Sequence, residues 1–216
     1  MVETNLPVLI LGTRTFAEEV ADVVSEIPGV RVAGFVENMD KGRCERQLAS
    51  LPVYWVSELS KMSQTHAVIC GLGTTVRSRY VEQVREYGIP FATLVHPSAR
   101  VSAKTSVSEG TFVSCQAVIA AYTHVGGHVS INRGALIGHH TVIGSFVTVG
   151  PGANIAGNSR VGDSTYIGMG AVVLDHIHVG SHSVIAAGAV VARNVPDNVQ
   201  AAGIPARIVK ENMRGK

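Results

Sequence analysis

Histidine is the residue whose chemistry stands out in this chain: there are nine, and an imidazole whose ordinary pKa lies near 6.5 can move a proton or hold a metal at neutral pH. Metal binding needs ligands that converge, and the spacing argues against it. His128 and His182 are 54 residues apart and His140 and His176 are 36 apart. In the repeat described below, those separations are three and two coils, or about 14 and 10 Å, too far to share one ion. A single histidine read from its position alone is a surface or interface residue. Cysteine adds no site. Cys44, Cys70 and Cys115 are odd in number and widely spaced, which reads as reduced thiols in a cytoplasmic protein and not as a disulfide framework or a zinc cluster. In the first loop, Arg14 stands where a strand gives way to a helix and could meet a phosphate.

The elements that must position such residues are of two kinds. From Val95 to Val191 an aliphatic residue recurs every six positions, seventeen times without a break and always Val or Ile. Two residues before each of these from Val101 on stands a small or β-branched residue, and glycine often follows it, as in Ile137-Gly138 and Ile167-Gly168. Six fits neither the helical period nor simple strand alternation. It fits short flat strands joined by tight corners, three to a coil of 18 residues, with coils stacked backbone to backbone at about 4.8 Å. The aliphatic pair fills the interior and the glycine is expected to help the chain turn. Residues 95–193 hold only eight of the 34 charged residues. Flat, weakly charged faces favour side-by-side association, for a three-sided prism as a cyclic trimer.

The first ninety residues read as an α/β unit. Val8–Leu11, Arg31–Val36 and Ala67–Cys70 are strand-like, and helical patterns run from Phe16 to Val24 and from Thr74 to Tyr87. Ligands of such units bind beyond the carboxyl ends of the strands. Three segments follow: 1–94, the α/β unit; 95–193, the β-helix; 194–216, a tail whose Arg207 and Lys210 could meet phosphates or belong to a solvated helix. The net charge of +2 comes without a basic cluster, so nucleic-acid binding has no electrostatic footprint. No apolar run approaches the length of a membrane span, and the N-terminus, with an acid at Glu3 and a short apolar stretch, is unlike a signal peptide.

The hexapeptide run, the tail Val195-Pro196 to Gly203-Ile204-Pro205-Ala206-Arg207 and the α/β head together resemble bacterial hexapeptide-repeat acyltransferases. The nearest branch contains sialic-acid O-acetyltransferases and N-acetyltransferases of nucleotide-linked 4-amino-4,6-dideoxy sugars. The resemblance implies a Rossmann-like head on a left-handed parallel β-helix and a cytoplasmic homotrimer with active sites between subunits. It implies acetyl-CoA as donor, no metal, and a nucleotide-linked amino sugar as acceptor for surface glycan synthesis. The family's histidine motif falls on Ile137 to Gly144, which gives His139 the role of general base. The family often has an acid after this histidine; here it is His140. Asn132 matches an upstream asparagine of the site, and Gly157 a glycine whose N–H faces the thioester carbonyl. Donor contacts fall on Thr148, Met169 and Ala187, and sugar-nucleotide contacts on Arg14, Thr15, Phe16, Glu37, Asn38 and Gly71.

Gly157 is 18 residues from His139 and so belongs directly over it; Asp175, two coils away, is out of reach, which leaves a backbone carbonyl or a neighbouring subunit to orient the imidazole. Other readings are sugar O-acetylation, transfer of a longer acyl chain, or a scaffold without catalysis.

Overall fold

The computed structural model describes residues 6–216, so Met1–Asn5 of the N-terminal stretch lie outside the described residues. The head is a four-stranded, wholly parallel sheet of β1 (Val8–Leu11), β2 (Val32–Glu37), β3 (Val53–Trp55) and β4 (Ala67–Cys70), in the order β3-β2-β1-β4. Sequence reading missed β3, a three-residue strand too short to show a period. Both faces of the sheet are covered. Helix α1 (Thr15–Ser25) buries Ala17, Val20, Ala21 and Val24, and α2 (Ser78–Arg85) buries Tyr80, Val81 and Val84. The continuous apolar runs of β1 and β4 reflect this two-sided burial.

From Leu94 on, the chain forms the expected parallel β-helix. Two-residue strands pair with the strand 18 positions away, as Leu136 with Asn154 and Ile137 with Ile155. The first face of the prism runs from Leu94–Val95 to Val184–Ile185, the second from Arg100–Val101 to Val190–Val191, and the third from Ser106–Val107 to His178–Val179. The coils fit the left-handed form named by the resemblance. Every Val or Ile of the repeat from Val113 to Val191 is buried in one continuous core together with Ala117, Ala135, Ala153, Ala171 and Ala189. Where the small partner is Thr or Ser, its buried hydroxyl donates to a carbonyl of the next coil: Thr111 to Gly126, Thr123 to Gly138, Ser159 to Leu174 and Thr165 to Gly180. A polar atom inside the prism is thereby satisfied.

The glycines after the repeat residues do a different job from the one expected. The corners that turn left-handed lie two positions later, at Gly110, Gln116, Tyr122, His128, Gly134, His140, Phe146, Gly152, Asn158, Ser164, Gly170, His176, His182 and Gly188. Nine of these fourteen are not glycine, and each bears a backbone cost of about 1–2 kcal/mol that coil closure imposes. Gly162, in contrast, has no positive φ; a Cβ there would lie 2.5 Å from the backbone N of Ser181 in the next coil. Its lack of a side chain serves coil spacing, not turning. The tail also differs from a helix: Arg207–Lys210 pairs antiparallel with Gln200–Ala202 and extends the first face.

The head sits over the first face and touches both of its edges. Glu19 of α1 pairs with Arg133 at the edge shared with the second face. At the edge shared with the third face, Arg77 bonds the carbonyls of His128 and Val147 and the hydroxyl of Thr148. His128 is a correction to the surface reading of the histidines: it is buried, stacked on Phe146 at 5.2 Å and edge-on to Phe91 at 4.7 Å. Burial above all, and then the positive charge of Arg85, pushes its ring down to about 4.

Two outcomes follow from this packing. Gly162→Ala lowers unfolding free energy by about 1–3 kcal/mol and by more than Gly152→Ala, which meets open space and bears only the left-handed strain; equal losses in denaturant melts contradict the spacing role. The folded protein keeps His128 neutral, whereas the unfolded chain takes a proton near pH 6.5, so stability present above that pH is lost as pH falls toward about 4. In His128→Asn this component of the acid sensitivity disappears, measured as the difference between wild-type and variant melting temperatures across that window.

Candidate functional site

The carboxyl ends of β1, β2 and β4 open onto one cavity of about 430 Å³. All six head positions singled out from the sequence line it: Arg14, Thr15, Phe16, Glu37, Asn38 and Gly71. The topology explains the convergence. β1 lies between β2 and β4, so the loops after these three strands splay around one crevice. Arg14 is the N-cap residue of α1; it and Thr15 are exposed, and Arg14 takes part in no ion pair among the described residues. Gly71 has a packing reason as well, since a Cβ there would come within 3.0 Å of the Ala17 backbone at the start of α1.

Glu37 is buried and fully engaged. Thr13 donates to its Oε2, and Oε1 accepts from the backbone N–H of Asn38 at 2.9 Å and of Met39 at 2.8 Å. Burial pushes its carboxyl up, but the bonds from Thr13 and from the Met39, Asn38 and Asp40 backbone outweigh that and leave it below the usual carboxylate range. Its charge thus shapes the β2 loop. Asn38 is held in turn by Gln83 of α2 at 2.8 Å. Thr13, Thr74 and Tyr80 also line the cavity and went unread. Tyr80 in particular arrives from α2, and nothing local to its sequence points there.

His139 and His140 stand on the edge between the second and third faces, both exposed. Gly157 backs onto the His139 ring: a Cβ there would meet Cε1 at 2.8 Å and Nε2 at 3.0 Å. Only glycine leaves room for that ring over the next coil. The Gly157 N–H has no acceptor among the described residues, while its carbonyl accepts from His176. The nearest polar partner of His139 is neither a backbone carbonyl nor an acid. Its Nδ1 lies 3.1 Å from Nδ1 of His140, whose ring also packs 4.8 Å from that of Tyr122. Asp175 faces His176 instead, at 3.8 Å.

The remaining positions are dispersed. Asn132 is buried and donates to the Val149 carbonyl at 2.7 Å, away from the His139 edge. Thr148 is buried too and accepts from Arg77 at 2.7 Å, which sets its hydroxyl in the head–prism junction and not on an open surface. Met169 and Ala187 are exposed neighbours in successive coils and line a cavity of about 380 Å³ with Tyr166, Val184, Gln200 and Lys216. Among the described residues no group of three or more His, Cys, Asp or Glu is disposed to hold a metal, and no helix is long and apolar enough to cross a membrane.

A family profile described as bacterial transferase hexapeptide (six repeats) matches residues 140–173 and 158–193. No curated protein matches by sequence. Among solved structures, a histidine-to-asparagine variant of perosamine N-acetyltransferase from Caulobacter crescentus, in complex with CoA and GDP-perosamine, is 28% identical with a TM-score of 0.88 over 95% of this chain and 97% of that one. The acetyltransferase domain of PglB from Neisseria gonorrhoeae, in complex with acetyl coenzyme A, is 27% identical with a TM-score of 0.87 over 95% of this chain and 100% of that one. WeeI from Acinetobacter baumannii is 25% identical with a TM-score of 0.85 over 94% of this chain and 100% of that one. With the repeat, the head and the whole-chain likeness in agreement, this chain resembles the hexapeptide-repeat acyltransferases, in the branch that includes the N-acetyltransferases of nucleotide-linked amino sugars.

Proposed function

We propose that the protein transfers an acetyl group from acetyl-CoA to the amino group of a nucleotide-linked 4-amino-4,6-dideoxy sugar for surface glycan synthesis. The observation that carries this reading is the cavity at the strand ends of the head, in which all six expected sugar-nucleotide positions meet. Arg14, a free cation at a helix start, suits the diphosphate of the acceptor. Similar structures with bound GDP-perosamine support an acceptor of this class.

The acceptor ammonium must lose a proton before its nitrogen can attack the thioester carbonyl. His139 takes that proton. His139 carries its own ring proton on Nδ1 and donates it to Nδ1 of His140, so that Nε2 presents the lone pair. His140 thus does what an acid does in relatives. The negative charge that builds on the carbonyl oxygen is met by the free N–H of Gly157 directly over the ring. Attack forms the C–N bond; collapse of the oxyanion then breaks the C–S bond, the nitrogen gives up its second proton to become the amide, and the departing CoA sulfur takes up a proton as the thiol. Met169 and Ala187 border the apolar cavity that suits the donor's arm. Asn132, held on the Val149 carbonyl away from the His139 edge, takes no step within one subunit.

One subunit does not complete the site. The head covers the first face, whereas His139 stands on the opposite edge of the prism. Four of the six outward strand positions of the adjoining second face are apolar, Val118, Leu136, Val172 and Val190, in a stripe that Asn154 interrupts and Arg100 ends, with Leu136 exposed. We take this stripe as the contact of a cyclic homotrimer in which one subunit's cavity presents the acceptor to a neighbour's His139. Working in the cytoplasm, where acetyl-CoA is made, is part of the same reading.

His139→Ala is expected to cut kcat by about 10²- to 10⁴-fold while leaving the circular-dichroism spectrum unchanged. A variant with wild-type rate contradicts the base, and a wild-type protein that transfers no acetyl group to any acceptor favours a scaffold. Assay of acetyl transfer to GDP- and UDP-linked 4-amino sugars, beside the corresponding hydroxyl sugars, tests the acceptor; transfer to hydroxyls alone favours O-acetylation.

A further inference from the structure

Arg77 is the largest side chain sealed inside the molecule, at 2% exposure, and the mechanism above makes no use of it. It has no carboxylate partner among the described residues. Instead its five N–H groups make five bonds to neutral oxygens. Nε and one Nη2 hydrogen go to the His128 carbonyl at 3.1 and 2.8 Å, and the other Nη2 hydrogen goes to the Val147 carbonyl at 2.8 Å. The two Nη1 hydrogens go to the Thr148 hydroxyl at 2.7 Å and the Thr74 carbonyl at 2.8 Å. Burial lowers the guanidinium to about 10, which leaves it charged at neutral pH.

A buried cation without a counter-ion is a costly way to join two surfaces, and apolar side chains of the same volume would join them more cheaply. What a guanidinium adds is a rigid, planar fork with fixed donor directions. Here the fork spans three pieces of chain: two successive coils of the prism, at His128 and at Val147–Thr148, and the head loop at Thr74. That loop, Gly71–Thr74, is one wall of the head cavity. Directly after Arg77 comes α2, whose Tyr80 hydroxyl donates to the Val36 carbonyl at 2.9 Å and whose Gln83 accepts from Asn38 at 2.8 Å. Arg77 therefore sits at the root of an arm that touches the cavity at three points.

We propose that Arg77 is a positioning residue: its fork ties the cavity wall to the coil register of the prism and so sets the pose in which a bound acceptor is presented. This rests on the acceptor assignment proposed above. Arg77→Lys keeps the charge but loses the fork, and Thr148→Val removes one of the four acceptor oxygens and serves should the lysine variant fail to fold. Rates are taken per folded protein, well below the melting temperature, with GDP-perosamine or a UDP-linked 4-amino sugar as acceptor. Expected is a fall in kcat/KM for the sugar nucleotide of about 10- to 100-fold in Arg77→Lys and a smaller fall in Thr148→Val, with KM for acetyl-CoA changed less than about twofold. Amide exchange at Gly71–Thr74 speeds up in both variants while the lower coils keep their protection. A lower melting temperature with unchanged kinetics and unchanged exchange at that loop overturns the proposal, as do equal losses for both substrates. A wild-type protein inactive on every amino sugar defeats the acceptor assignment instead, and the loop's exchange rates still decide on Arg77.

Discussion

The repeat of one coil upon the next, 18 residues apart, is the constraint on which the rest of this molecule depends. Strands of two residues have almost no stability of their own; they persist because each is paired on two sides and plugged from within by Val or Ile. Registry then dictates everything placed on the prism. Residues 18 apart become vertical neighbours, so His139 and Gly157 meet without any loop having to bring them together. The same registry forces a left-handed corner at every sixth residue, whatever side chain stands there. His140 is one such corner, and its twisted backbone is what turns its ring toward His139.

The head obeys a different rule. Its crevice is a property of strand order: β1 is flanked by β2 on one side and β4 on the other, so three loops open in one direction. Within that crevice, Glu37 is spent on Thr13 and on the backbone of its own loop, which makes it a builder of the cavity and leaves Arg14 as the free charge at its mouth. In the proposed reaction head and prism divide the labour: one side recognises, the other supplies a proton acceptor and a free N–H. The chain sets the head cavity and His139 on opposite sides of the prism, which is why that reaction is assigned to an assembly of subunits.

Much of this was legible in the residues. A period of six, held seventeen times by Val or Ile, admits one architecture, because neither helix nor flat sheet buries every sixth residue. The alternating strand and helix patterns of the head were legible for β1, β2, β4 and both helices, since their apolar runs are long enough to carry a period. β3 was not, being three residues long, and the tail strand was not, because Arg207–Lys210 pairs through its backbone and its side chains are exposed. The resemblance supplied the candidate positions, and arithmetic in steps of 18 was enough to set Gly157 on His139.

Other features belong to tertiary structure alone. No local pattern distinguishes Arg77 from a solvated arginine on a helix; its burial follows from the way the head settles onto the prism, which brings four oxygens from distant segments around one side chain. His128 reads as a surface corner, yet the head lays Phe91 against it and seals it. Asn132 and Thr148 read as site residues, and contacts with Val149 and Arg77 hold them inside. Periodicity is a local property of the chain and can be counted from its residues. The closing of one unit over another is a sum of many weak contacts between remote segments, and only the folded molecule decides it.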